Sequence, residues 1–202
     1  MTNVEHELRG AAMPTFDREG LAEAMARRAD AHGLLDVAYG TLDSPLGELT
    51  VFVTPRGLLR IAYPNEGASD VLDEVADRVS PRILRAPSRT DAARRELDAY
   101  FAGTRRSFDL PLDWSLVRGF ATSVLRATAK VPFGEVTTYG RVARSAGSPR
   151  AARAAGNALG SNPIPIVVPC HRVLHADGGL GGYSGGLERK RFLLALEGHP
   201  EH

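Results

Sequence analysis

The run Asn162-Pro163-Ile164-Pro165-Ile166-Val167-Val168-Pro169, leading straight into Cys170-His171-Arg172-Val173, constrains this chain more than any other stretch. Each proline fixes φ, removes an N–H donor and biases the residue before it toward extended geometry. The intervening residues are apolar. The run therefore predicts a stiff, extended segment that presents Cys170 at its end. That cysteine is the only one in 202 residues. It excludes an internal disulfide and any multi-cysteine metal site, and a free thiol suits a reducing cytoplasm.

A cysteine attacks as the thiolate, which a neighbouring base or cation favours. His171 follows at once, but adjacent side chains often point apart, so a water is the natural bridge between ring and sulfur. A free cysteine also packs as a small, inert hydrophobe. The Cys-His pair alone leaves both readings open.

Hydrophobic residues make up 43% and charged residues 24% of the chain, the balance of a soluble protein. No apolar run is long enough to span a membrane, and the first residues lack the basic flank and apolar core of a signal peptide. Charge is uneven. Residues 1–113 carry five more acidic than basic side chains, and residues 114–202 carry six more basic than acidic ones. A basic half that holds the cysteine fits an anionic partner such as nucleic acid, and equally a dipolar solvated surface.

In chain order, Asp17 is placed to cap a helix through Arg28, with Leu21, Met25 and Arg28 at helical spacing and Ala22, Ala26 and Ala29 beside them. Residues 36–63 alternate as β structure around Ser44-Pro45-Leu46-Gly47 and Pro55-Arg56-Gly57, which predicts a short antiparallel meander. Helices are expected over residues 70–79 and 91–101. Residues 108–113 read as a linker, with a domain boundary near Trp114. Residues 119–130 form an amphipathic helix with Phe120, Val124, Ala127 and Val131 on one side. Two short helices follow, residues 138–146 and a second that Ser148 caps with Pro149 in its first turn. Helix, short glycine turn and helix give the outline of a helix-turn-helix. In the second helix Ala152, Ala155 and Leu159 form the inner side, and Arg150 and Arg153, three apart, share another face. The glycines around Tyr183 and Ser184 read as a loop with close backbone approach. Residues 187–197 close the chain as a helix.

Val131-Pro132-Phe133-Gly134-Glu135-Val136-Thr137-Thr138-Tyr139-Gly140, Ala151-Ala152-Arg153-Ala154, Asn162-Pro163-Ile164-Pro165-Ile166, Pro169-Cys170-His171-Arg172-Val173 and Gly182-Tyr183-Ser184-Gly185-Gly186-Leu187 are five motifs in a specific order. In them residues 120–198 resemble the C-terminal domain of the O6-methylguanine-DNA methyltransferases (methylated-DNA–protein-cysteine S-methyltransferases). Ser44-Pro45-Leu46-Gly47 and Leu110-Pro111-Leu112-Asp113 extend the likeness back to about residue 36.

The resemblance implies an α/β protein in three parts. Residues 1–35 are an extension. Residues 36–113 are a small antiparallel sheet with helices, like ribonuclease H. Residues 114–202 are a mainly helical, DNA-binding, alkyl-acceptor domain with the helix-turn-helix. It implies repair by direct reversal: the base is flipped from the duplex and its O6-alkyl group moves irreversibly to Cys170, once per molecule. His171 matches the base that holds the thiol proton through water, Glu197 the carboxylate that orients it, and Asn162 the brace of the turn before the cysteine. Tyr139 matches the tyrosine that disfavours the intrahelical phosphate position and gives a proton to the departing guanine. Arg153 matches the finger that enters the base stack, beside Arg150 and Ala152 on the DNA face. Tyr183, Ser184 and Val173 match the substrate pocket. The implied partner is double-stranded DNA with alkylated guanine, held through the minor groove with little sequence preference. The implied protein is a cytoplasmic monomer without cofactor, with cooperative assembly on DNA left open.

Relatives that bind a structural zinc use cysteines this chain lacks, and His175 stands where the family often has glycine. Two other classes compete with this one: a lesion-binding module, whose members replace the cysteine, and a cysteine hydrolase, which needs an oxyanion hole that no motif supplies.

Overall fold

The computed structural model describes residues 18–201. Asp17, the expected helix cap, lies outside them. Helix α1 (Arg18–Ala31) forms as the spacing predicts, but it packs through its alanines. Ala26 is buried with Leu35, Ala38 and Ala86, whereas Leu21 and Met25 are about half exposed. Small side chains let the helix lie close to the sheet, which turns the larger ones outward.

Strands β1 (Val37–Leu42), β2 (Leu49–Thr54) and β3 (Gly57–Ala62) make the antiparallel meander. A short β4 (Ile83–Arg85) adds to β1 in parallel, so the sheet is mixed, in the order β3-β2-β1-β4. Strand alternation sorts the side chains by face. Val37, Phe52, Leu59 and Ala62 meet Val71 and Val75 of α2 (Ala68–Arg78). Leu49, Val51, Leu58 and Ile61 join a core that also holds Leu97 and Tyr100 of α3 (Pro87–Phe101) and runs on into the C-terminal half. The end of the 108–113 segment lies against β3: Leu58 N–H donates to Pro111 O at 2.8 Å and Asp113 N–H to Leu58 O at 2.8 Å. At Gly57 (φ 131°) a Cβ would sit 2.1 Å from Pro111 O, so the crossing admits only glycine.

Beyond it come α4 (Phe120–Thr128), a two-residue β5 (Thr137–Thr138), α5 (Tyr139–Ser145) and α6 (Ala152–Gly160). Thr138 caps α5 by accepting Arg141 N–H. The α5–turn–α6 pair is the expected helix-turn-helix, with one correction. Ser148 and Pro149 do not start the second helix. They form a turn closed by Ala151 N–H to Ser148 O at 2.9 Å, and α6 begins at Ala152. Proline suits the second position of such a turn as well as a first helical turn. Arg150 is therefore in the turn and does not share a helix face with Arg153. The buried side of α6 is Ala155, Ala158 and Leu159, and Ala152 is only partly covered.

Residues 162–169 are wholly buried but not extended. They coil: Val168 N–H returns to Ile164 O at 2.9 Å and Cys170 N–H to Val168 O at 2.8 Å. Ile166, with φ 74°, occupies the left-handed region that a β-branched residue rarely adopts. Proline's φ fits turns as well as strands, so the prolines stiffen the segment without straightening it. A 3-10 turn (Cys170–Arg172), β6 (Val173–Leu174) paired in parallel with β5, and α7 (Leu187–Leu196) complete the fold. No helix among the described residues is long and apolar enough to cross a membrane.

Candidate active site

Cys170 sits at the bottom of a cavity of about 640 Å³ between α5, α6 and the glycine-rich loop after β6. Of the residues expected at the site, Tyr139, Ala152, Arg153, Tyr183 and Ser184 line the same cavity. Arg150 does not, and Val173 has its side chain fully buried in the core, away from the cavity walls. His175 lines the mouth with its ring 5.1 Å from that of Tyr139.

Asn162 holds the sulfur. Its Nδ2 donates to Cys170 Sγ at 3.1 Å and to Val168 O at 2.8 Å, while its Oδ1 accepts Ile164 N–H at 3.0 Å. One buried amide thus pins both the coiled segment and the cysteine. Replacing it by alanine strands the buried Ile164 N–H, at a cost of about 1–3 kcal/mol, and takes one of two donors from Val168 O, which keeps Cys170 N–H. Asn162→Ala should lower unfolding stability by about 3 kcal/mol in a urea titration, with the slope unchanged.

Behind Cys170 lies a buried charged cluster. His171 Nε2 meets Glu197 Oε1 at 2.9 Å. Arg172 grips the same carboxylate in a fork, Nε to Oε2 at 2.7 Å and Nη2 to Oε1 at 2.8 Å, and Tyr100 Oη donates to Oε1 at 2.6 Å. Glu197 caps the C-terminus of α7, the negative end of the helix dipole. Burial raises its pKa, but the bonds from His171 and Arg172 outweigh burial and hold the carboxyl at about 2. A carboxylate can only accept, so Nε2 of His171 carries the hydrogen and Nδ1 is the bare, basic nitrogen. Nδ1 is buried and has no partner among the described residues. Burial lowers the His171 pKa against the pull of Glu197, which keeps the ring neutral at pH 7.

Burial also raises the Cys170 thiol, opposed by the Asn162 bond and by Lys190. Lys190, fully buried on α7, donates to Val173 O at 2.7 Å and to Leu180 O. Burial brings it down to about 8. The resting sulfur is therefore a thiol, beside a neutral base and near a buried cation. Such a site makes a thiolate at the moment of attack and does not store one.

Arg172, Lys190 and Tyr100 escaped the sequence reading. Arg172 was legible as a charge inside the cysteine motif. Tyr100 was not, because it lies 97 residues from its partner Glu197.

The model of the 6-O-methylguanine DNA methyltransferase ribonuclease-like domain matches residues 37–114, and that of the family's DNA-binding domain matches residues 119–199. The methylated-DNA–protein-cysteine methyltransferase of Methanosarcina acetivorans is 51% identical, covering 79% of this chain and 97% of that protein. The human one is 41% identical, covering 79% of each. The crystal structure of Mycobacterium tuberculosis OGT in complex with DNA has a TM-score of 0.67 at 42% identity, covering 79% of this chain and 92% of that one. With both halves matched in order and these relatives aligned over most of their length, the chain belongs to the 6-O-methylguanine DNA methyltransferase family.

Proposed function

We propose that this protein repairs O6-alkylated guanine in DNA by taking the alkyl group onto Cys170. The observation that carries the reading is the lone cysteine held by Asn162 at the bottom of a 640 Å³ cavity, with the His171–Glu197 pair directly behind it. Sγ attacks the alkyl carbon in line. The S–C bond forms as the C–O6 bond breaks, and its electron pair leaves on the base. The thiol proton passes through a water to His171 Nδ1, and the imidazolium so formed is stabilised by Glu197. The departing guanine takes a proton from the Tyr139 hydroxyl, and the proton held on His171 returns through water to the tyrosinate, which leaves both side chains neutral. A thioether is a poor leaving group, so each molecule reacts once.

The helix-turn-helix supplies the DNA contact. Alanine-rich α6 suits a close approach to a narrow minor groove, with Arg153 at the cavity edge to fill the stack where the base leaves, and Arg150 in the preceding turn to meet phosphate. Few base-edge readers project from α6, so binding should depend little on sequence. We place the work in the cytoplasm, on double-stranded DNA, by a monomer. Its C-terminal domain (114–202) holds the chemistry, its N-terminal α/β domain (36–113) packs behind, and residues 1–35 extend it.

The test is the intact and peptide mass after mixing the protein with a duplex that carries one O6-methylguanine. One methyl on Cys170, limited to one per protein, is expected. Bound DNA with an unmodified Cys170 would make this a lesion-recognition module instead. Arg153→Ala should slow transfer from duplex by about tenfold or more while sparing attack on the free base, since only the duplex demands flipping. Equal loss on both substrates would rule out the flipping role.

A further inference from the structure

The wall of the cavity is a partition. Tyr183 and Ser184 line the cavity that holds Cys170, and they also line a second groove, of about 730 Å³, between α7 and the Pro45–Leu46 turn of the N-terminal half. A glycine-rich loop with open space on both sides does not hold its own position. Something must fix it from behind.

The fixing contact comes from the end of β3. Tyr63, only 3% exposed, puts its Oη 2.7 Å from the Oη of Tyr183, with the rings 6.2 Å apart and inclined at 60°. Gly185 is wedged between them. A Cβ there would lie 2.7 Å from the Tyr63 ring and 2.9 Å from the Tyr183 ring, so the loop runs as close to both as a backbone can. Arg189 closes the contact from α7. Its guanidinium lies 5.0 Å over the Tyr63 ring and donates to Leu46 O, Asn65 Oδ1 and Gly185 O, tying the loop, the helix and the N-terminal half together. Burial raises both tyrosine hydroxyls further from ionisation, so the pair stays neutral and bonded across the working pH range.

We propose that Tyr63 is a specificity-determining residue that acts through Tyr183: it latches the loop, and so sets how bulky an alkyl group the cavity admits. The inference rests on the alkyl-transfer reading above. A methyl group makes few contacts of its own, so its alignment with Sγ depends on a rigid wall. A benzyl group brings its own packing surface and needs the wall to yield. Loosening the latch should therefore trade methyl transfer for benzyl transfer.

The experiment measures single-turnover transfer from two duplexes, one with O6-methylguanine and one with O6-benzylguanine, read as protein mass, for the wild type, Tyr63→Phe, Tyr183→Phe and the double variant. Each single variant should lower the methyl-to-benzyl rate ratio by about fivefold, the scale of one net hydrogen bond. The double variant should lower it no further, because both substitutions remove the same bond. The ratio is blind to lost folded protein, which scales both rates alike. A ratio that stays fixed, or falls additively in the double variant, overturns the latch. A wild-type protein that takes up neither group overturns the alkyl-transfer reading, a distinct result.

Discussion

Cys170→Ser should take up no alkyl group, with transfer down by at least about 10³-fold, while its affinity for a duplex stays within about twofold of the wild type. The two halves of this expectation have separate causes. Oxygen in place of sulfur is a harder, far less acidic nucleophile, and a neutral His171 cannot make it an alkoxide. The hydroxyl can still accept the Asn162 Nδ2 hydrogen that Sγ accepts at 3.1 Å, so the coiled segment should hold. Binding depends on surfaces the substitution leaves alone: Arg153 and Arg150 are both exposed, whereas Cys170 is 5% exposed at the cavity floor. Mass spectrometry gives the transfer and fluorescence anisotropy at fixed salt gives the affinity. Methyl found on the serine variant at a residue other than 170 would remove Cys170 from the acceptor role. Loss of binding in step with transfer would mean that the sulfur holds the DNA face together.

The elements legible in the sequence were those whose signal is local. The alternation in β1–β3, the spacing in α2 and α4 and the glycine turn between α5 and α6 are written in runs of a few residues, and the structure follows them. Long-range pairing is not written that way. β4 is three residues long and owes its existence to β1. Proline was ambiguous twice, because one φ serves a strand, a turn and a first helical turn. That is why residues 162–169 read as extended, and Ser148-Pro149 as a helix start. In α1 the larger apolar residues suggested the packing face, but the alanines make it. At the site, Cys170, His171, Glu197 and Asn162 were placed by resemblance to one template, and the structure brings them together. The groups that answer them across the fold, Tyr100 from α3, Lys190 from α7 and Tyr63 from the end of β3, carry no local mark. A buried lysine and a surface lysine are the same letter.

Glu197→Gln should cost about 3–5 kcal/mol of unfolding stability, the usual loss when one partner of a buried ion pair is removed. The wild-type carboxylate takes four donors: Nε2 of His171, Nε and Nη2 of Arg172 and Oη of Tyr100. A glutamine offers one oxygen and an NH2, so wherever the amide turns, a donor faces a donor, and the Arg172 guanidinium loses its counter-charge. A urea titration at pH 7 should show a lower midpoint with the slope unchanged. The pH dependence identifies the cause. Glu197 titrates at about 2 in the fold against an ordinary 4.5, so the unfolded chain binds its proton first as pH falls. The stability due to the carboxylate is complete above about 4.5 and is lost as pH falls toward about 2. The gap between wild type and variant should therefore close over that window, and a gap that persists unchanged to pH 2 would assign the loss to packing. Transfer should fall by about 10²-fold or more, because a glutamine NH2 turned to His171 favours the tautomer with the hydrogen on Nδ1, the nitrogen that must accept the thiol proton. A variant that is destabilised but transfers at the wild-type rate would leave Glu197 as a structural anchor and require another group to orient His171.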